Sequence, residues 1–113
     1  MEELAPSERA SVLGRIKSQA AAGAFSLPQH AHKEMVEEEI SLDALLAAIQ
    51  RGEILEEYPQ HRRGACCLVS GQTAEGRPLH VVCTTAQPVL ILITVYEPRP
   101  PKWLTPWKRK GQP

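Results

Sequence analysis

A chain of 113 residues can fold around one hydrophobic core and is too short for two. Its 42% apolar and 23% charged residues are those of a folded domain, and a formal net charge of zero does not favour a strongly basic nucleic-acid binder. The longest apolar run, residues 89–95 interrupted by Thr94, falls far short of the roughly 20 residues a membrane helix needs, and no basic start followed by an apolar core suggests a secretion signal.

Ser7 follows Pro6 as a candidate helix cap, and Val12, Leu13, Ile16 and Ala20 recur at helical spacing, predicting a helix over 8–22 that ends at Gly23. Residues 24–27 read as a short edge strand. Ser26 and Gln29 have the spacing of a capping box, with Pro28 biasing Leu27 away from helix and able to shift the cap a residue or two later, and a second helix is expected over 29–39. Its inner stripe reads as His32, Met35, Val36 and Ile40, with Ala31 at the margin. Ser41 caps a third helix with an apolar face of Leu42, Leu45, Leu46 and Ile49, and Gly52 stops it. Beyond Gly52 the apolar period changes from 3.6 to 2, and four strands are expected over 53–58, 65–70, 79–84 and 89–96. Their short connectors suit antiparallel neighbours. Four prolines between 98 and 106 keep residues 98–113 an extended tail. The expected architecture is a single α+β domain over 1–113, with its core in 8–97: two to three N-terminal helices on one face of a four-stranded antiparallel sheet.

Side-chain alternation puts Leu79, Val81 and Cys83 on one face of their strand and His80, Val82 and Thr84 on the other. In the next strand Val89, Ile91, Ile93 and Val95 form an apolar face for the helices to cover, leaving Leu90, Leu92, Thr94 and Tyr96 opposite. Paired as a hairpin, the two strands bring His80, Thr94 and Tyr96 onto one surface, with His80 and Tyr96 as cross-strand neighbours. They read either as a reactive pair or as surface residues bonded to each other or to backbone. His30 and Glu34, four apart on a helix, read as an acid/base pair or as a capping imidazole beside a surface carboxylate. Trp103 and Trp107 interleave with Lys102, Lys108, Arg109 and Lys110, a pattern that either holds single-stranded RNA or anchors the tail. The three cysteines, two of them adjacent, fit neither a disulfide framework nor a zinc site, so a reduced cytoplasmic setting without a structural metal is expected. No phosphate loop, dinucleotide fingerprint or serine elbow is present. The zero net charge conceals a split: residues 1–57 hold 11 acids and 5 bases, residues 58–113 hold 2 acids and 8 bases. Such blocks mark solvated faces, a basic surface for nucleic acid or a dipole used in assembly.

His30-Ala31-His32-Lys33-Glu34-Met35, Ile40-Ser41 and the run 52–59 resemble the first half of a widespread bacterial domain of unknown function. Cys67-Leu68-Val69, Gly76-Arg77-Pro78-Leu79-His80-Val81-Val82 and Ile93-Thr94-Val95-Tyr96-Glu97-Pro98, followed by Trp103, resemble its second half. That family is similar to small ribonuclease toxins of the RelE and MqsR type, which pack helices on an antiparallel sheet in a barnase-like manner. The resemblance implies the toxin-like half of a toxin–antitoxin module: a metal-independent endoribonuclease needing no cofactor. Its implied partner is a small zinc-finger protein resembling the MqsA antitoxin. It implies His80 as base or acid, His30 with Glu34 as its complement and Tyr96 orienting the phosphate or the leaving group. Arg77, Thr94 and Lys102 would lie on the RNA. Many members carry Arg where Glu34 stands, and a base is frequent where Glu38 stands. A competing expectation is therefore a non-catalytic interaction module that binds such a partner or a second copy through Val82, Leu90 and Leu92.

Overall fold

The computed structural model describes residues 4–62 and 64–111. Helices α1 (Pro6–Ala21), α2 (Gln29–Glu37) and α3 (Leu42–Gln50) cover one face of a five-stranded sheet of β1 (Phe25–Ser26), β2 (Glu53–Tyr58), β3 (Cys66–Gln72), β4 (Pro78–Thr84) and β5 (Leu90–Tyr96). The strand order is β1-β5-β4-β3-β2. The last four strands form the expected antiparallel meander. The expected four-stranded sheet gains a fifth strand, the short edge strand expected over 24–27: the two-residue β1 pairs parallel to the outer edge of β5, Phe25 with Leu90 and Ser26 with Ile91. No helix among the described residues is long and apolar enough to cross a membrane.

Local chemistry explains most boundaries. Pro6 occupies the first turn of α1, where its missing N–H costs nothing, so the helix is capped at Ala5, two residues before the site expected at Ser7; the Glu8 carboxylate accepts from Ala5 N–H at 3.0 Å. Gly23, at φ 72°, ends α1 in a Schellman motif: Ala24 N–H reaches Gln19 O at 2.9 Å and Gly23 N–H reaches Ala20 O at 3.2 Å. The helix after it starts at Pro28 without a side-chain cap, so Ser26 does not form a capping box. Ser41 caps α3 as expected, accepting from Ala44 N–H at 3.0 Å. Gly71 of β3 lies so close under α3 that a Cβ there would fall 2.0 Å from Ala48 O.

The α2 cap repeats the Schellman pattern with Glu39 in the left-handed position at φ 55°: Ile40 N–H reaches Met35 O at 2.8 Å and Glu39 N–H reaches Val36 O at 3.3 Å. A side chain there is strained where glycine is not. Glu39→Gly is therefore expected to stabilise the domain by about 1 kcal/mol, read as a higher urea midpoint at unchanged m-value.

The inner ridge of α2 is Ala31 and Met35, followed by Ile40 just past the helix, while His32 and Val36 face solvent, a rotation from the expected stripe. The edge of β5 sets that rotation. Beyond β1, its N–H groups need acceptors; Glu34 Oε1 takes Val95 N–H at 3.0 Å and Glu38 Oε1 takes Glu97 N–H at 3.0 Å. An arginine at either position has no acceptor to offer.

The register of β4 on β5 corrects the face assignment. His80 pairs with Tyr96, Val81 with Val95 and Val82 with Thr94, but Cys83 then pairs with Leu92. Ile93 is the extra residue of a β-bulge, which reverses the parity of everything before it. Leu90 and Leu92 consequently join Val95 in the core at 0% exposure, while Val89 lies 45% exposed. The expected apolar face of Val89, Ile91 and Ile93 does not form, and Leu90 and Leu92 present no interface.

The tail is not simply extended. It folds into a ribbon of β6 (Trp103–Thr105) and β7 (Lys108–Arg109) and buries Trp103 to 2% exposure. Glu56 binds Arg109 at 2.7 and 2.8 Å and Glu38 binds Arg99 at 3.0 Å, so ion pairs between the acidic and basic halves take up part of the charge split.

Candidate functional site

The sheet face opposite the helices carries His80, 0% exposed, with the tail across it. Its Nε2 lies 2.6 Å from Pro106 O, and a carbonyl only accepts, so Nε2 carries the proton. Its Nδ1 lies 3.1 Å from Tyr96 Oη and accepts from the hydroxyl. Trp103 packs edge-to-face on the ring at 4.4 Å and Tyr96 at 5.2 Å. The predicted His80–Tyr96 pair thus forms, as a buried clasp whose two ring nitrogens are both engaged by the protein.

Burial is the main reason that the His80 pKa is depressed, against the pull of the Pro106 hydrogen bond and of Glu56. The unfolded chain binds a proton near pH 6.5 that the folded protein resists, so stability is full above that pH and falls as pH drops below it. Wild type is expected to lose urea midpoint between pH 7.5 and 5.5, and His80→Gln to show a shallower loss. Glu56, held below the usual carboxylate range chiefly by Arg109, gives up its share only at lower pH, under its ordinary 4.5.

Beside the clasp, Tyr58 Oη donates to Glu56 at 2.5 Å, and burial with the Glu56 bond raises the Tyr58 pKa. Burial likewise raises that of Tyr96. On the helix side, Cys67 and Cys83 face each other across β3 and β4 in the core. The hydrogen bond with Cys67, then burial, pushes the Cys83 thiol up and keeps it protonated. It is a poor nucleophile.

His30 lies elsewhere. Its side chain is 70% exposed, with Nε2 3.5 Å from Glu34 Oε2. The other Glu34 oxygen is fixed by Val95 N–H, so β5 orients the carboxylate that faces the imidazole. His30 and Thr94 share a cleft of about 370 Å³ with Pro28, His61, Arg62 and Ile93. The structure thus unites His30, Glu34 and Thr94 in one place and His80 with Tyr96 in another, and His80 does not line the cleft. Arg77 clamps the end of α2: its guanidinium donates to Glu97 at 2.6 Å, to Glu38 O at 2.6 Å and to Glu39 O at 3.0 Å. Cations are favourable at a helix C-terminus. Lys102 is exposed on the ribbon. Sequence reasoning passed over His61 and Arg62, whose one signal was an adjacent imidazole and guanidinium in the loop between β2 and β3.

A sheet with helices on one side, a tail strapped across the other and an open histidine cleft at its edge defines a small α+β domain. Residues 27–97 match the family described as Domain of unknown function (DUF4258), and the chain belongs to that family. The match takes in β5, α2 and the cleft, while α1 and the tail fall outside it. No curated protein and no solved structure matches the chain.

Proposed function

We propose that the protein is a metal-independent endoribonuclease, the toxin-like half of a toxin–antitoxin module related to the RelE and MqsR type. The observation that supports this reading is the cleft in which His30, backed by Glu34, meets His61, Arg62 and Thr94. RNA cleavage without a metal needs a base for the 2′-hydroxyl, an acid for the departing 5′-oxygen and positive charge for the phosphorane. His30 takes the 2′ proton, and the Glu34 carboxylate stabilises the imidazolium that results. The 2′-oxygen bonds to phosphorus as the P–O5′ bond breaks, and His61 delivers a proton to the 5′-oxygen. Arg62 and the Thr94 hydroxyl hold the non-bridging oxygens. The products are a 2′,3′-cyclic phosphate and a 5′-hydroxyl.

His80 and Tyr96 act in this reading by holding the tail, and Arg77 by holding α2. The partner is a small zinc-finger protein of the MqsA antitoxin kind. The helix layer offers it exposed Val36 and Leu42, 66% and 43% accessible.

Pure protein incubated with single-stranded RNA in EDTA is expected to yield fragments bearing cyclic phosphate and 5′-hydroxyl ends. Intact RNA, or 3′-hydroxyl ends, would remove the proposal.

A further inference from the structure

The tail ribbon has two faces with different chemistry. Trp103 and Arg109 turn toward the sheet, with the guanidinium stacked 4.5 Å from the indole centroid. The outer face carries Trp107 and Leu104, 48% and 53% exposed, beside exposed Lys102, Lys108 and Lys110. Among the described residues none of these lysines meets a carboxylate, whereas Arg77, Arg99 and Arg109 are each bound to one. Three exposed lysines of the basic half therefore share the tail ribbon with one exposed indole. Next to that indole, Arg51, Glu53, Gly71 and Gln72 complete a notch of about 310 Å³. The platform is held in place: Trp107 N–H donates to Thr105 Oγ1 at 3.2 Å, and the preceding Pro106 O is gripped by His80.

We propose that this face of the ribbon and the notch beside Trp107 form a docking site for single-stranded RNA. An unstacked base lies on the Trp107 ring with its edge toward Gln72 and Glu53, and Lys108 and Lys110 meet the flanking phosphates. A duplex keeps its bases stacked and gives the indole no face. An acidic peptide satisfies the lysines but leaves the notch without a planar occupant. The notch lies where β2 begins and β3 ends, whereas the His30 cleft involves the loop at the other end of these strands, so the two are separate sites that share no lining residue. The choice of RNA over DNA rests on the ribonuclease reading; the stacking and phosphate contacts do not.

The test is equilibrium binding of a labelled oligouridylate to the full chain in EDTA, with His30→Ala as the background that prevents cleavage. Trp107→Ala is expected to weaken binding by about 10-fold or more. Lys108→Glu and Lys110→Glu, on exposed side chains, are expected to weaken it further at low salt and to flatten its salt dependence. Equal affinity of Trp107→Ala and its parent, or equal competition by duplex RNA or polyglutamate, overturns the site. Equal binding of oligodeoxythymidylate overturns the assignment to RNA. The two proposals fail separately. A wild type that binds through Trp107 without cutting loses the ribonuclease reading and keeps the docking site. A Trp107→Ala variant that cuts with unchanged KM loses the docking site and keeps the ribonuclease.

Discussion

Trp103→Ala is expected to cost about 3–5 kcal/mol of stability, a large part of what a domain of this size possesses. The indole is 2% exposed and packs over His80 on the sheet face opposite the helices. Its edge contact with His80 lies at 4.4 Å, and the Arg109 guanidinium covers the ring at 4.5 Å. Truncation leaves a cavity over a buried imidazole and removes the aromatic partner of the arginine that binds Glu56. Water then reaches the His80 ring, so burial no longer resists its protonation. Two readouts follow: a much lower urea midpoint, and a stability that depends less on pH between 7.5 and 5.5. A midpoint within about 0.5 kcal/mol of wild type would mean that the packing of the ribbon on His80 adds nothing to stability.

His30→Ala is expected to lower RNA cleavage by roughly 10²–10⁴-fold, the usual worth of a positioned acid or base, while leaving the urea midpoint nearly unchanged. The side chain is 70% exposed, and its contact with Glu34 at 3.5 Å faces solvent and is of little structural value. The contrast with His80 makes the prediction sharp. His80→Ala attacks the clasp that holds Pro106, so any activity it loses comes with lost stability; His30→Ala separates the two. Glu34→Gln can still accept Val95 N–H through its amide oxygen but carries no charge. It is expected to fold normally and cleave more slowly than wild type.

The sequence made some features legible and hid others for identifiable physical reasons. Ser41, Gly23 and the switch of apolar period after Gly52 act locally, and all three mark real boundaries. The His80–Tyr96 pairing was also readable, because simple alternation holds from Tyr96 back to Thr94. It fails one residue earlier: the bulge at Ile93 is set by how β5 meets β4, and nothing in a run of Ile, Leu and Val marks which residue is extra. The outward turn of Val36 was hidden for a related reason. Glu34 and Glu38 look like surface residues until a strand edge with free N–H groups is placed beside them. The charge split was visible as arithmetic, but its partial use in holding the tail to β2 and α2 needed the ion pairs of Arg109 and Arg99. The cleft was the least legible feature. His61 is 31 residues from His30 in the chain (61 − 30), and only the fold, which lets the loop after β2, the start of α2 and β5 line one cleft, brings them together.

His61 also supplies the most direct test, since it enters the account through geometry alone. Cleavage of single-stranded RNA in EDTA by His61→Ala, measured beside wild type at equal urea midpoint, is predicted to fall by roughly 10²-fold or more, as expected for loss of the proton donor to the 5′-oxygen. Cleavage at the wild-type rate would contradict the assignment of the chemistry to this cleft.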